Sequence, residues 1–182
     1  MKNKRYLQSC RKVEGDEVYT PFYAVKPLLE FIPKDKIIWC PFDEDWSAFV
    51  QTLKEEGYKV VNSSLNDGQD FFEYEPSEWY IIISNPPFSK KDKVIERCYE
   101  LNKPFCLLLP ITALQSEKRY RCFVKGLELL LFDKRVDYHT WQNFEFYKTG
   151  NHFASAYFCK NILPEKIVFR TLEKYQKALK EI

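Results

Sequence analysis

The sequence is poor in glycine: 5 of 182 residues, where an average usage of about 7% would give roughly 13. No G-x-G-x-x-G and no G-x-x-x-x-G-K-[ST] occurs. The phosphate cradles of dinucleotide-binding and P-loop enzymes, which need glycine for close backbone approach, are therefore missing. Histidine is limited to His139 and His152, and Cys10, Cys40, Cys98, Cys106, Cys122 and Cys159 include no C-x-x-C. Such a set predicts no metal site, and the cysteines read as free, small buried hydrophobes of a reducing compartment. No stretch approaches the roughly 18 apolar residues of a membrane span. The start, Met1-Lys2-Asn3-Lys4-Arg5, is not followed by the apolar core of a leader. A cytoplasmic protein without a membrane partner is expected. An excess of one charge is absent too: 28 Lys+Arg against 26 Asp+Glu leave +2, so any basic surface must be local.

What is present is an aromatic-rich globular composition, 45% hydrophobic, 17% aromatic and 30% charged, in a length suited to one domain over 1–182. Residues 1–15 carry five basic side chains with little apolar periodicity and read as a basic arm. Thr20-Pro21 predicts a helix start, with Thr20 as N-cap and a helix through Leu28, Leu29 and Phe31 that Pro27 weakens. Short apolar runs at 36–42, 58–61, 79–83 and 104–109 alternate with helical spacing at 46–56 and 94–101. That pattern predicts an α/β domain with a mostly parallel sheet, helices on both faces and a ligand crevice at the carboxyl ends of the strands. A helix at 116–125 follows. The runs 127–133 and 152–159, joined by a polar insertion over 134–151, predict antiparallel pairing at one sheet edge. Over 164–182 the apolar residues Val168, Leu172, Tyr175, Leu179 and Ile182 fall at spacings of 4, 3, 4 and 3. This predicts a C-terminal helix that packs on the parent domain or, alternatively, forms a short homodimer seam.

The most informative stretch is Ser84-Asn85-Pro86-Pro87-Phe88, directly after the apolar run Ile81-Ile82-Ile83. Two consecutive prolines cannot donate backbone hydrogen bonds, so they end the strand in a stiff loop. As a bare turn the loop needs no function. It resembles, however, the [DNS]-P-P-[FYW] loop of class I S-adenosylmethionine-dependent methyltransferases that modify planar amino groups. Among these the chain is most similar to the small phage and prophage-type N6-adenine DNA methyltransferases. The resemblance runs in order from about Asp16 to Leu109. It implies a Rossmann-like fold, S-adenosyl-L-methionine as cofactor, and a catalytic loop of Asn85, Pro86, Pro87 and Phe88. In that family the Asn side-chain oxygen and the first Pro carbonyl accept from the target amine, and the aromatic stacks on the extruded base.

Further matches place the cofactor. Tyr19, Thr20 and Pro21 resemble the family's segment at the methionine end. Pro41, Phe42 and Asp43 fall in its D-P-F-x-G-x-G loop, although here both glycines are replaced, with Glu44-Asp45-Trp46-Ser47 following. Asp70 and Phe71 resemble the D-F pair that meets the cofactor adenine; read without the family, Phe71 is equally a core aromatic. The strand before Asn62-Ser63-Ser64 ends without the acidic residue that commonly serves the ribose. Lys90, Lys91 and Lys93 open a helix, where cations oppose the helix dipole, and are expected to meet a nucleic-acid backbone, DNA favoured over RNA. Lys118, Arg119, Arg121 and Lys125 suggest a second basic stripe. The reaction implied is methyl transfer to N6 of adenine in DNA. The missing glycines keep open a weakened methyltransferase fold that serves as a nucleic-acid or protein-binding module. Methylation of RNA adenine or protein glutamine fits the same loop.

Overall fold

The computed structural model describes residues 19–138 and 153–174. The arm at 1–15, most of the 134–151 insertion, Cys10, both histidines and the tail from 175 onward lie outside them. Seven strands, β1 Ile37–Pro41, β2 Lys59–Ser63, β3 Ile81–Ser84, β4 Phe105–Pro110, β5 Glu128–Phe132, β6 Ser155–Lys160 and β7 Ile167–Arg170, form one sheet in the order β2-β1-β3-β4-β6-β5-β7. β2, β1, β3 and β4 are parallel. β6 enters between β4 and β5, antiparallel to both, and β7 runs parallel to β5. The expected mostly parallel sheet with antiparallel pairing toward one edge is therefore the one observed.

Two apolar layers explain the strand composition, since strands buried on both faces cannot afford the polar alternation of a half-exposed sheet. On one face Ile38, Cys40, Ile81, Ile83, Tyr157 and Cys159 meet α1 (Phe22–Val25) and α2 (Ala48–Glu55). On the other, Trp39, Ile82, Leu107, Leu109 and Phe158 meet α3 (Lys91–Leu101) and α4 (Glu117–Phe123). Helices cover both faces, as expected. Cys40, Cys98, Cys106, Cys122 and Cys159 are free and buried within these layers. No helix among the described residues is long and apolar enough to cross a membrane.

Three local expectations are corrected. The first helix is a single α turn that continues as a 3-10 turn over Lys26–Phe31. Pro27 is the cause: it has no N–H to close an i−4 bond and its ring crowds the carbonyl of Tyr23. The N-cap is Pro21 rather than Thr20, and no side chain caps this helix. Within 164–182, where a helix was expected, Ile167–Arg170 is strand β7, in register with Leu129–Phe132. Over these four residues the helical spacing was overridden by backbone pairing to the open edge of β5, while the rest of the expected helix from 175 onward lies outside the described residues.

Glu128 locks the β6–β7 connection. It is buried, and its two carboxylate oxygens accept from the backbone N–H groups of Asn161, Ile162 and Leu163 at 3.1, 3.0 and 2.9 Å. Removing it strands three donors in a turn that also seats Leu163 in the core. Glu128→Ala is expected to cost about 2–4 kcal/mol in a denaturant titration, with Glu128→Gln falling between it and the parent.

Candidate functional site

Chain order reverses at the β1–β3 pair: β2 lies on one side of β1 and β3 on the other. In an open parallel sheet the carboxyl ends of two such strands diverge into the crevice that takes ligands. The loop after β1 carries Phe42 and Asp43, and the loop after β3 carries Asn85 to Phe88, so the tertiary structure brings these two motifs to one place.

The two loops are tied by one hydroxyl. Ser84 Oγ lies 2.5 Å from Pro41 O and 2.5 Å from Asp43 Oδ2. A hydroxyl has a single proton, and a carbonyl can only accept. Both contacts are satisfied when Ser84 donates to Pro41 O and a protonated Asp43 donates to Ser84 Oγ. The electrostatics agree: burial pushes the Asp43 carboxyl up to about 7, against the pull of the Ser84 and Ser47 hydroxyls. The resemblance places Asp43 in the cofactor loop. It is 8% exposed and faces Ser84.

Side chains hold the β1 loop at the positions where the methyltransferases it resembles carry glycine. Phe42 adopts φ 70°, a left-handed conformation costly for a non-glycine residue, and its ring packs 4.9 Å from that of Phe71. Glu44 accepts from Trp46 Nε1 and from Asn66 Nδ2, both at 2.5 Å, and Asn62 Nδ2 donates to Asp43 O. Tyr19 meets the edge of Trp46 at 5.4 Å. Ser47 then caps α2 by accepting from Val50 N. The carboxylates that replace the glycines are thus engaged: Glu44 through these two donors, Asp45 in an ion pair with Lys54 at 2.9 Å.

The other predicted site residues are placed as follows. Pro86 is buried; Asn85, Pro87 and Phe88 are half-buried. Phe88 meets Tyr138 and Phe153 edge-on, at 6.2 and 5.6 Å between ring centroids. Phe71 is 2% exposed and packed against Trp39, a core position. Asp70 is half-buried and accepts from Phe72 N, closing its own turn. Lys90 and Lys93 are exposed, whereas Lys91 donates to Phe88 O at 3.1 Å and ties down the loop. The second basic stripe is broken at Arg119, which is buried and donates to Ala113 O, Gln115 O and Asp92. No group of three or more His, Cys, Asp and Glu side chains able to hold a metal occurs among the described residues.

Thr20 and Pro21 are buried just ahead of α1, and the Thr20 hydroxyl has no hydrogen-bond partner among the described residues. A buried hydroxyl left unpaired costs about 1–3 kcal/mol, a debt that a polar ligand entering there removes. On that observation this end of the chain fits a polar cofactor.

The raised Asp43 carboxyl makes stability depend on pH. Between its ordinary value of 3.8 and about 7 the folded protein keeps a proton that the unfolded chain has released. Stability therefore falls as pH rises through that window and is lowest above it. Asp43→Asn keeps a donor for Ser84 Oγ without the ionisation. It is expected to exceed the parent in stability at pH 8 by at least about 1 kcal/mol, the gain shrinking toward pH 4 in thermal melts across the range.

No protein-family model and no curated protein matches the sequence. Among solved structures the chain is similar to a modification subunit of a type I restriction enzyme from Vibrio vulnificus YJ016, at 11% identity and a TM-score of 0.51. The match covers 93% of this chain and 50% of that subunit, so the chain spans about half of its length. A protein described as a class I S-adenosylmethionine-dependent methyltransferase, from Listeria monocytogenes, matches at 13% identity and a TM-score of 0.46, over 93% and 71% of the two chains. At such identities the first likeness shows the fold: this chain has the expected Rossmann-like α/β architecture.

Proposed function

We propose that the chain is a class I methyltransferase that transfers a methyl group from S-adenosyl-L-methionine to the N6 amino group of adenine in DNA. The observation that carries this reading is the position of Asn85-Pro86-Pro87-Phe88, leaving the carboxyl end of β3 beside the β1 loop where strand order reverses. The similarity to a restriction-enzyme modification subunit is in keeping with DNA as substrate.

The cofactor supplies an electrophilic methyl on a sulfonium, and the protein has to prepare the nucleophile. An exocyclic amine on adenine is weak because its lone pair is drawn into the ring. The Asn85 side-chain oxygen and the Pro86 carbonyl accept from its two N–H groups, which favours a pyramidal nitrogen with its lone pair free to attack. Pro86 and Pro87 keep both acceptors rigid, so little reorganisation is needed during the reaction. The Ser84–Asp43 contact, one residue before Asn85, holds this loop against the β1 loop, and Lys91 fixes Phe88 from the other side. Phe88 stacks on the extruded base, after parting from Tyr138 and Phe153. Tyr19, Thr20, Pro21, Pro41, Phe42 and Asp43 line the methionine end of the cofactor, and Asp70 its adenine end, on a turn that Phe71 anchors in the core. Lys90 and Lys93, both exposed, receive the phosphate backbone.

Glu44, braced where the family has glycine, favours a second reading, in which the fold persists as a binding module. Radiolabelled methyl transfer to DNA, RNA and protein pools tests both, and transfer to none of them supports the module. Asn85→Ala is expected to lower transfer by at least about 10²-fold with cofactor affinity little changed; equal activity in mutant and parent sinks the assignment. Phe88→Ala weakens target binding by about 1–3 kcal/mol while Phe88→Trp is tolerated. Titration with S-adenosylmethionine, with and without an adenine oligonucleotide, is expected to give a dissociation constant of roughly 10 µM to 1 mM for the protein alone.

A further inference from the structure

Native proteins rarely leave buried side-chain hydroxyls without partners, and each such group calls for an explanation. Tyr138 and Ser155 are each 6% exposed, and neither hydroxyl has a hydrogen-bond partner among the described residues. They are neighbours, close enough that hydrogen bonding from the Ser155 hydroxyl opposes the rise that burial imposes on the Tyr138 phenol; even with one hydroxyl turned to the other, the pair keeps one proton to give to a third group. Tyr99 also carries an unpartnered hydroxyl, but in the opposite core layer, away from the crevice. Tyr138 and Ser155 lie beside Phe88. The Tyr138 ring meets Phe88 at 6.2 Å, and Phe153, two residues before Ser155, meets both rings.

Their position relative to Asn85 follows from the sheet. Ser155 opens β6 opposite Pro110, the last residue of β4, and Tyr157 and Cys159 of β6 share a core layer with Ile81 and Ile83 of β3. Side chains alternate along a strand, so Ser155 and Asn85 fall on that same side, both at the carboxyl end of the parallel strands. β4 lies between them. The backbone separation is two strand spacings across and about two residues along, roughly 10–12 Å. That span admits a planar ring with a hydrogen bond of about 2.9 Å at either end.

We infer that Tyr138 and Ser155 form the polar far wall of the target site, where their hydroxyls bond the ring edge of a purine whose amino group is held by Asn85. This deepens the methyltransferase reading and rests on it. A ring nitrogen accepts from either hydroxyl, and an imidazole-side or pyrimidine-side edge presents such atoms. A primary amide on a flexible chain would set methylenes against the two hydroxyls and leave them unpaired. The inference therefore selects a nucleobase over a protein glutamine as substrate.

The test uses the full chain with Tyr138→Phe, Ser155→Ala and the double variant. Thermal stability, S-adenosylmethionine affinity, and affinity for single-stranded DNA oligonucleotides with or without adenine are measured for each. Removing a buried, unpartnered hydroxyl relieves a cost in the ligand-free protein, so stability is expected to hold or rise. Cofactor affinity stays at the parent's value. Adenine-oligonucleotide affinity falls about tenfold in the double variant, and with it the preference over the adenine-free strand. Unchanged affinity and preference overturn the inference, and so does a fall in stability accompanied by weaker binding of both ligands, which makes the hydroxyls structural. A parent that binds neither cofactor nor oligonucleotide overturns the methyltransferase reading itself, and this inference with it.

Discussion

The Ser84 hydroxyl is the contact on which the crevice depends. It lies where chain order reverses at β1, and it bridges the end of β1 to the end of β3 through Pro41 and Asp43. Strand ends that part at such a point leave polar backbone exposed to an apolar interior unless something closes the gap. Here the closure is a serine with one proton and two acceptors facing it, beside a carboxyl that burial holds neutral well above its ordinary range against the pull of that same hydroxyl. Asn85 follows Ser84 directly, so the geometry of the loop it belongs to inherits the rigidity of that closure.

The β1 loop contains no glycine and is held by side-chain contacts. Phe42 takes the left-handed conformation that glycine would adopt without strain, and its ring leans on Phe71. Glu44 then ties the loop to Trp46 and to Asn66 beyond β2. The loop is braced by side chains, and its carboxylates are already engaged.

Polar residues inside this protein divide into two kinds. Glu128 and Arg119 are buried and committed to partners, Glu128 to three backbone N–H donors and Arg119 to two backbone carbonyls and the Asp92 carboxylate. They hold turns. Thr20, Tyr138 and Ser155 are as deeply buried and have no partners among the described residues. A fold tolerates such unpaired groups where their satisfaction comes from elsewhere, and all three lie toward the loops that follow β1 and β3 or the segments flanking them.

The alternation of apolar runs with helical spacing, and the prolines after Ile81-Ile82-Ile83, were enough to read the α/β architecture and the strand-ending loop, because both are written in near-neighbour chemistry. Local signals failed where long-range pairing competed with them. The tail's helical spacing yielded to the open edge of β5 at Ile167–Arg170, and Thr20, a plausible helix cap in isolation, is buried outside the helix that Pro21 caps. Phe71 read equally as a cofactor contact or a core aromatic, and the tertiary structure packs it against Trp39. Arg119 looked like one more surface cation until its neighbours Asp92, Ala113 and Gln115 were known. The sequence by itself determined the order of strands and main helices as far as β6 and the stiff loop that ends β3. Which side chains meet across that loop, Asp43 with Ser84 and Phe88 with Tyr138, only the tertiary structure decided, because those partners lie 41 and roughly 50 residues apart and are joined by strand order rather than by spacing.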